Sequence, residues 1–165
     1  RRITEVPALT PAVYRARSST PLFDALGTLL GQADQRIAQR AETGRKAEDQ
    51  PVLIFTDGHE NASRRFDRAR IFEMIKDRQD VGNWTFVFMG ANQDSYAAGG
   101  GVGFGDGNIQ DFAATSASVH DSFSEFTRST VAYRGKPRRQ RMHDRHDFFE
   151  GQKLAEQALR EQDRN

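Results

Sequence analysis

The chain has 165 residues, 36% of them apolar and 28% charged, which suits one wet-surfaced domain with a real core. A formal net charge of only +1 excludes any global bias toward nucleic acid or a membrane surface, and no apolar run approaches the roughly 20 residues of a membrane span. Cysteine is absent, which excludes a disulfide scaffold or thiolate metal site and fits a reducing, cytoplasmic compartment.

Residues 1–18, with Pro7 and Pro11, read as an irregular connecting segment. Ser19-Thr20-Pro21 then opens a helix, with Thr20 as cap and Pro21 in the first turn. Leu22, Leu26, Leu29, Ala33 and Ile37 give that helix one apolar face. A polar loop over 43–50 leads to Val52–Thr56, a short apolar run bounded by Pro51 and Gly58 that reads as a core strand. A second helix is expected over about 65–79 with Phe66, Ala69, Phe72 and Ile75 inward, stopped by Val81-Gly82-Asn83. Trp84 to Met89 is the next strand, followed by a turn at Gly90 and a short helix over 93–98. A weaker strand over 108–112 precedes a helical face of Val119, Phe123, Phe126, Thr130 and Tyr133, ended by Gly135.

Helices and strands alternating in this order predict an α/β fold, doubly wound, with a mainly parallel sheet and helices on both faces. Residues 19–135 form the expected domain. Residues 136–165, which include Phe148, Phe149, Leu154 and Leu159, read as a basic linker and a charged outlying helix.

A carboxylate at the C-terminal end of a core strand stands where open α/β sheets bind ligands, which singles out Asp57. Thr20 lies at a loop-to-helix junction, and both residues supply hard oxygen suited to magnesium or manganese rather than zinc. The runs Ser19-Thr20-Pro21-Leu22-Phe23-Asp24-Ala25 and Phe55-Thr56-Asp57-Gly58-His59-Glu60-Asn61, with Phe86-Val87-Phe88-Met89-Gly90-Ala91-Asn92-Gln93-Asp94, resemble the von Willebrand factor A-type domain. The likeness is to its bacterial, intracellular branch and covers roughly residues 3–133.

The resemblance implies a Rossmann-like fold and a metal-ion-dependent adhesion site made by three loops. Thr20 matches the second loop and Asp57 the third, with Ser19 and Gly58 as neighbours. Such a site holds Mg2+ or Mn2+ and leaves one position open for an acidic residue of a protein ligand. The expected role is therefore protein binding, not catalysis. The first loop's Asp-x-Ser-x-Ser run does not occur in this chain; Asp121-Ser122-Phe123-Ser124-Glu125 comes nearest and falls inside a predicted helix. The expectation is an N-terminally truncated domain whose Val52–Thr56 strand becomes a sheet edge, and whose two remaining ligands bind the ion weakly or not at all.

Two other functions fit parts of the sequence. A magnesium-assisted phosphate-ester hydrolase would use the same strand ends, with His59 beside Asp57 as the tempting acid–base group. A nucleic-acid-binding accessory domain would use Arg134, Lys136, Arg138, Arg139 and Arg141, although no aromatic residues interleave with them. The glycines at 99, 100, 101, 103, 105 and 107 follow a helix and precede a strand, the reverse of a phosphate loop, and read as a flexible connection. His143 and His146 stand three apart in a run of mixed charge and read as a solvated helix.

Overall fold

The structure, a computed structural model, describes residues 5–7, 10, 12, 19–46, 48–81, 83–91, 94–153, 156 and 161. Most of the connecting segment 1–18 lies outside the described residues, as do Gly82, Asn92, Gln93, Leu154 and Leu159.

Helix α1 (Leu22–Glu42) is followed by strand β1 (Gln50–Thr56), helix α2 (Arg68–Val81), strand β2 (Trp84–Gly90) and helix α3 (Ser95–Gly100). Strand β3 (Ile109–Asp111), helix α4 (Ser116–Gly135) and a short helix α5 (Arg138–His143) complete the order. The three strands form one parallel sheet in the order β1-β2-β3, with β2 central. Gln50 pairs with Trp84 and the register runs without a break to Thr56 and Gly90. Both runs are rich in β-branched and aromatic residues, which suit a pleated surface buried on two sides.

Successive side chains along a strand point to opposite faces. Val52, Ile54, Phe86 and Phe88 meet Leu26, Leu30, Ile71 and Ile75 from α1 and α2 in one core cluster. Leu53, Val87 and Met89 belong to a second cluster with Phe112 and with Val119, Phe126 and Tyr133 of α4. Helices thus cover both faces of a mixed α/β domain. No helix among the described residues is long and apolar enough to cross a membrane.

The helical faces match those expected only in part. On α1 the expected Leu22, Leu26, Ala33 and Ile37 do face the core, but Leu30 is buried in place of Leu29, which is 42% exposed. On α2 the inward residues are Ile71, Met74, Ile75 and Gln79, whereas Ala69 is exposed and Phe72 is 41% exposed. On α4 the expected Val119, Phe126 and Tyr133 pack on the second cluster, but Ser122, Glu125 and Ser129 are buried too and Phe123 is turned outward against Phe55. The buried amide of Gln110 donates to the Glu125 carboxylate, which explains a polar residue on that inner face. Asp121 to Glu125 does lie within α4.

Residues 136–153 correct the expectation of a linker. Phe148 and Phe149 are 3% and 1% exposed and belong to the second core cluster. Asn108 anchors this return: its amide donates to the carbonyls of Phe86 and Arg145, and its oxygen accepts from the Phe148 amide. The glycine-rich connection serves the same packing. A Cβ on Gly107 would stand 2.4 Å from the His146 carbonyl oxygen and 2.7 Å from the Asp147 Cα, so only glycine admits the chain there. Gly99 and Gly100 close α3 rather than forming part of a loop. His143 ends α5 and His146 sits in the following turn, so the pair does not share a helix face.

Candidate functional site

The loop 57–67, which connects the C-terminal end of β1 to α2, bonds to the start of α1. Helix α1 begins one residue later than the sequence implies. Pro21 is its N-cap, no side chain of that residue or of Thr20 caps it, and its first bond runs from the Ala25 amide to the Pro21 carbonyl. A helix N-terminus leaves four amides without internal partners. Here the loop after β1 supplies partners for two of them from a distance. Glu60 Oε2 accepts from the Phe23 amide at 2.9 Å, and Ser63 Oγ accepts from the Asp24 amide at 3.1 Å.

The exchange is reciprocal. Asp24 Oδ1 accepts from the amides of Arg65 and Phe66 at 2.8 and 2.9 Å, and its Oδ2 accepts from Arg64 at 3.0 Å. Glu60 Oε1 also takes the amides of Ala62 and Ser63, while Oε2 takes the Ser63 hydroxyl. The hydrogen bond from Arg64 does most to hold the Asp24 carboxyl below its ordinary 3.8, with those from Arg65 and Phe66 behind it against the opposing effect of burial. Burial by itself would raise Glu60; hydrogen bonds from Ser63, Phe23 and Ala62 outweigh it and leave the pKa below 4.5.

This stitching places Thr20 beside the strand end. The Thr20 amide donates to Asn61 Oδ1 at 2.8 Å, and its carbonyl accepts from the Asn61 amide at 3.2 Å, across 41 residues of sequence. A Cβ on Gly58 would lie 3.6 Å from Thr20 Oγ1. Asp57 is exposed at the end of β1, next to Thr56, whose hydroxyl donates to the Gly58 carbonyl at 3.0 Å. Ser19 is exposed just before Thr20. Thr20 and Gly58 are therefore brought close, and Asp57 precedes Gly58 in the chain.

The donor set suits a hard cation only in part. Thr20 and Asp57 present oxygen, but the nearby carboxylates of Asp24 and Glu60 have both oxygens engaged by backbone amides. Among the described residues, no group of three or more His, Cys, Asp or Glu side chains is placed to hold a metal ion. A cleft of about 320 Å3 opens beside the loop, floored by Leu26, Ile54, Phe88 and Val102 and edged by His59 and Glu60. Because each Glu60 oxygen already accepts two hydrogen bonds, that residue is a brace and not a base.

The basic residues do not form one surface. Lys136 is turned inward to Asp144, at 2.5 Å, and to Glu150. Arg141 reaches Asp49 at 2.5 Å and the carbonyls of Lys136 and Arg134. Arg134, Arg138 and Arg139 are exposed.

Asp24, Glu60, Asn61 and Ser63 are the residues that sequence reasoning missed. An acidic residue whose oxygens collect amides reads, in sequence, like any solvated charge. The one available signal was the pair Glu60 and Ser63 in a loop that precedes a helix, which is weak.

No family model, curated protein or solved structure matches the chain.

Proposed function

We propose that this chain is a doubly wound α/β module of the von Willebrand A type, which binds a protein ligand through a divalent cation. Thr20 and Asp57 are the ligands of Mg2+ or Mn2+ from the second and third metal loops, with Ser19 and Gly58 as neighbours. An acidic residue of the partner takes an open position on the ion. The observation that carries the reading is the approach of Thr20 Oγ1 to Gly58, enforced by hydrogen bonds between loops far apart in sequence. A parallel sheet with its strand ends at this point is the setting in which such sites are built. The role is binding rather than catalysis: the Asp24 and Glu60 carboxylates of the adjoining segments are committed to backbone amides. A cytoplasmic location follows from the same resemblance and fits a chain without cysteine.

Two protein oxygens compete poorly with the water shell of magnesium, which dehydrates reluctantly. Calorimetric titration with MgCl2 or MnCl2 is therefore expected to give weak binding that Asp57→Ala abolishes. Tight, stoichiometric binding, or weak binding untouched by Asp57→Ala, would overturn the assignment.

A further inference from the structure

A second cavity lies at the opposite end of the sheet, where β1 and β2 begin, and its geometry points to a binding site for a small phosphate monoester. It measures about 560 Å3, within the range of small-molecule sites, and is bounded by Pro51, Thr85, the last turns of α4 and helix α5.

Its charges do not balance. Glu48 and Asp49 line the cavity, but Glu48 is paired with Arg40 at 2.7 Å and Asp49 with Arg141 at 2.5 Å. Arg40 and Arg141 thus offset the two carboxylates. Arg134 and Arg138 remain on the wall, and among the described residues neither guanidinium has a hydrogen bond or ion pair. Two uncompensated guanidinium forks match the −1.5 to −2 charge of a phosphate monoester and its three acceptor oxygens. A phosphodiester of a nucleic-acid strand carries only one charge per unit.

The wall has further polar groups. Thr130 and Tyr133 both line it, the Thr130 hydroxyl itself being buried. The Tyr133 hydroxyl donates to the Arg141 carbonyl at 2.9 Å and accepts from Thr85 at 2.7 Å, which fixes α5 against β2. The cavity is therefore held by hydrogen bonds across three elements. Shape also favours a small ligand over a nucleic-acid strand. Lys136 is turned away into its own ion pairs, so the basic run offers no continuous track for a backbone, and Arg134 and Arg138 line a concavity instead.

The test is titration of the full chain, by amide NMR and calorimetry, with AMP, inorganic phosphate, adenosine and a single-stranded RNA. AMP and phosphate are expected to bind saturably, and adenosine is not. Arg134→Gln and Arg138→Gln are each expected to weaken AMP by about tenfold or more, the effect of losing hydrogen bonds to a charged group. Arg139→Gln removes the same charge from a position off the cavity wall and is expected to leave AMP binding unchanged. All three side chains are exposed, so the variants keep the fold. Absence of saturable binding by AMP and phosphate would overturn the site. So would equal weakening by Arg139→Gln, which marks diffuse attraction, or RNA binding without AMP binding.

Discussion

Replacing Phe149 by alanine is expected to lower the unfolding free energy by about 3–5 kcal/mol, the usual cost of removing a buried aromatic ring. The ring meets Phe148 edge-on at 5.2 Å, and Phe148 in turn packs against Tyr133 at 5.7 Å and Phe126 at 5.6 Å. These contacts join the last described segment to α4 and to Val87 and Met89 of the sheet. The Phe149 amide also donates to the Gly107 carbonyl at 3.1 Å, so the backbone is fixed on the same surface. Urea denaturation should show a lower midpoint with an unchanged slope. Met142→Ala on α5, at an exposed position, should shift stability by no more than about 0.5 kcal/mol. The Phe149→Ala loss is a large part of a typical domain's about 5–15 kcal/mol. Phe149→Leu, a smaller lesion, keeps the comparison measurable if the alanine variant does not fold. A free-standing linker would leave all three variants alike.

Glu60→Ala is expected to destabilise the protein by about 1.5–3 kcal/mol, the scale of hydrogen bonds to a charged group. The change strips a cap from the Phe23 amide at the start of α1 and two more partners from the Ala62 and Ser63 amides. It also removes a negative charge from the positive end of that helix. The effect depends on pH in a fixed direction. The folded pKa of Glu60 lies below 4.5, so on acidification the unfolded chain takes up the proton first. The stabilisation is complete above about pH 4.5 and is lost as pH falls through the folded value. Asp24 acts in the same direction, below its ordinary 3.8. Urea melts of the wild type and Glu60→Gln should therefore converge as pH is lowered from about 5 to about 3. A difference that stays constant over that range contradicts the role given to the Glu60 carboxylate.

The strands were the legible part of the fold. Val52–Thr56 and Trp84–Met89 are short apolar runs between turn residues, and burial on both faces makes such runs continuous rather than alternating. Helix phase was harder to read. Where neighbours such as Leu29 and Leu30, or Ile71 and Phe72, are all apolar, spacing alone does not choose the inward one. On α4 the hydrophobic pattern placed Val119, Phe126 and Tyr133 on the core but failed at Phe123, because the inner face is partly polar. Gln110 at the end of the sheet calls for a partner there, and Glu125 provides it. The return of Phe148 and Phe149 was hidden by the charge around them, since a basic run reads as solvated unless its partners are known. Lys136 has its acids in Asp144 and Glu150, and Arg141 finds its own at Asp49, 92 residues away.

At the candidate site, the nearness of Thr20 and Gly58 was legible as two short motifs at the right separation. The means of bringing them together was not. It rests on Glu60, Asp24 and Asn61 bonding to backbone groups some 40 residues distant, and amide partners leave no trace in a sequence.

Paramagnetic broadening by Mn2+ in amide spectra of the full chain tests the cation site most directly. Signals of Thr20, Asp57 and Gly58 should broaden first, and Asp57→Ala should remove that effect while the rest of the spectrum is preserved. Broadening centred elsewhere on the protein, or unchanged by Asp57→Ala, would contradict a divalent cation held by Thr20 and Asp57.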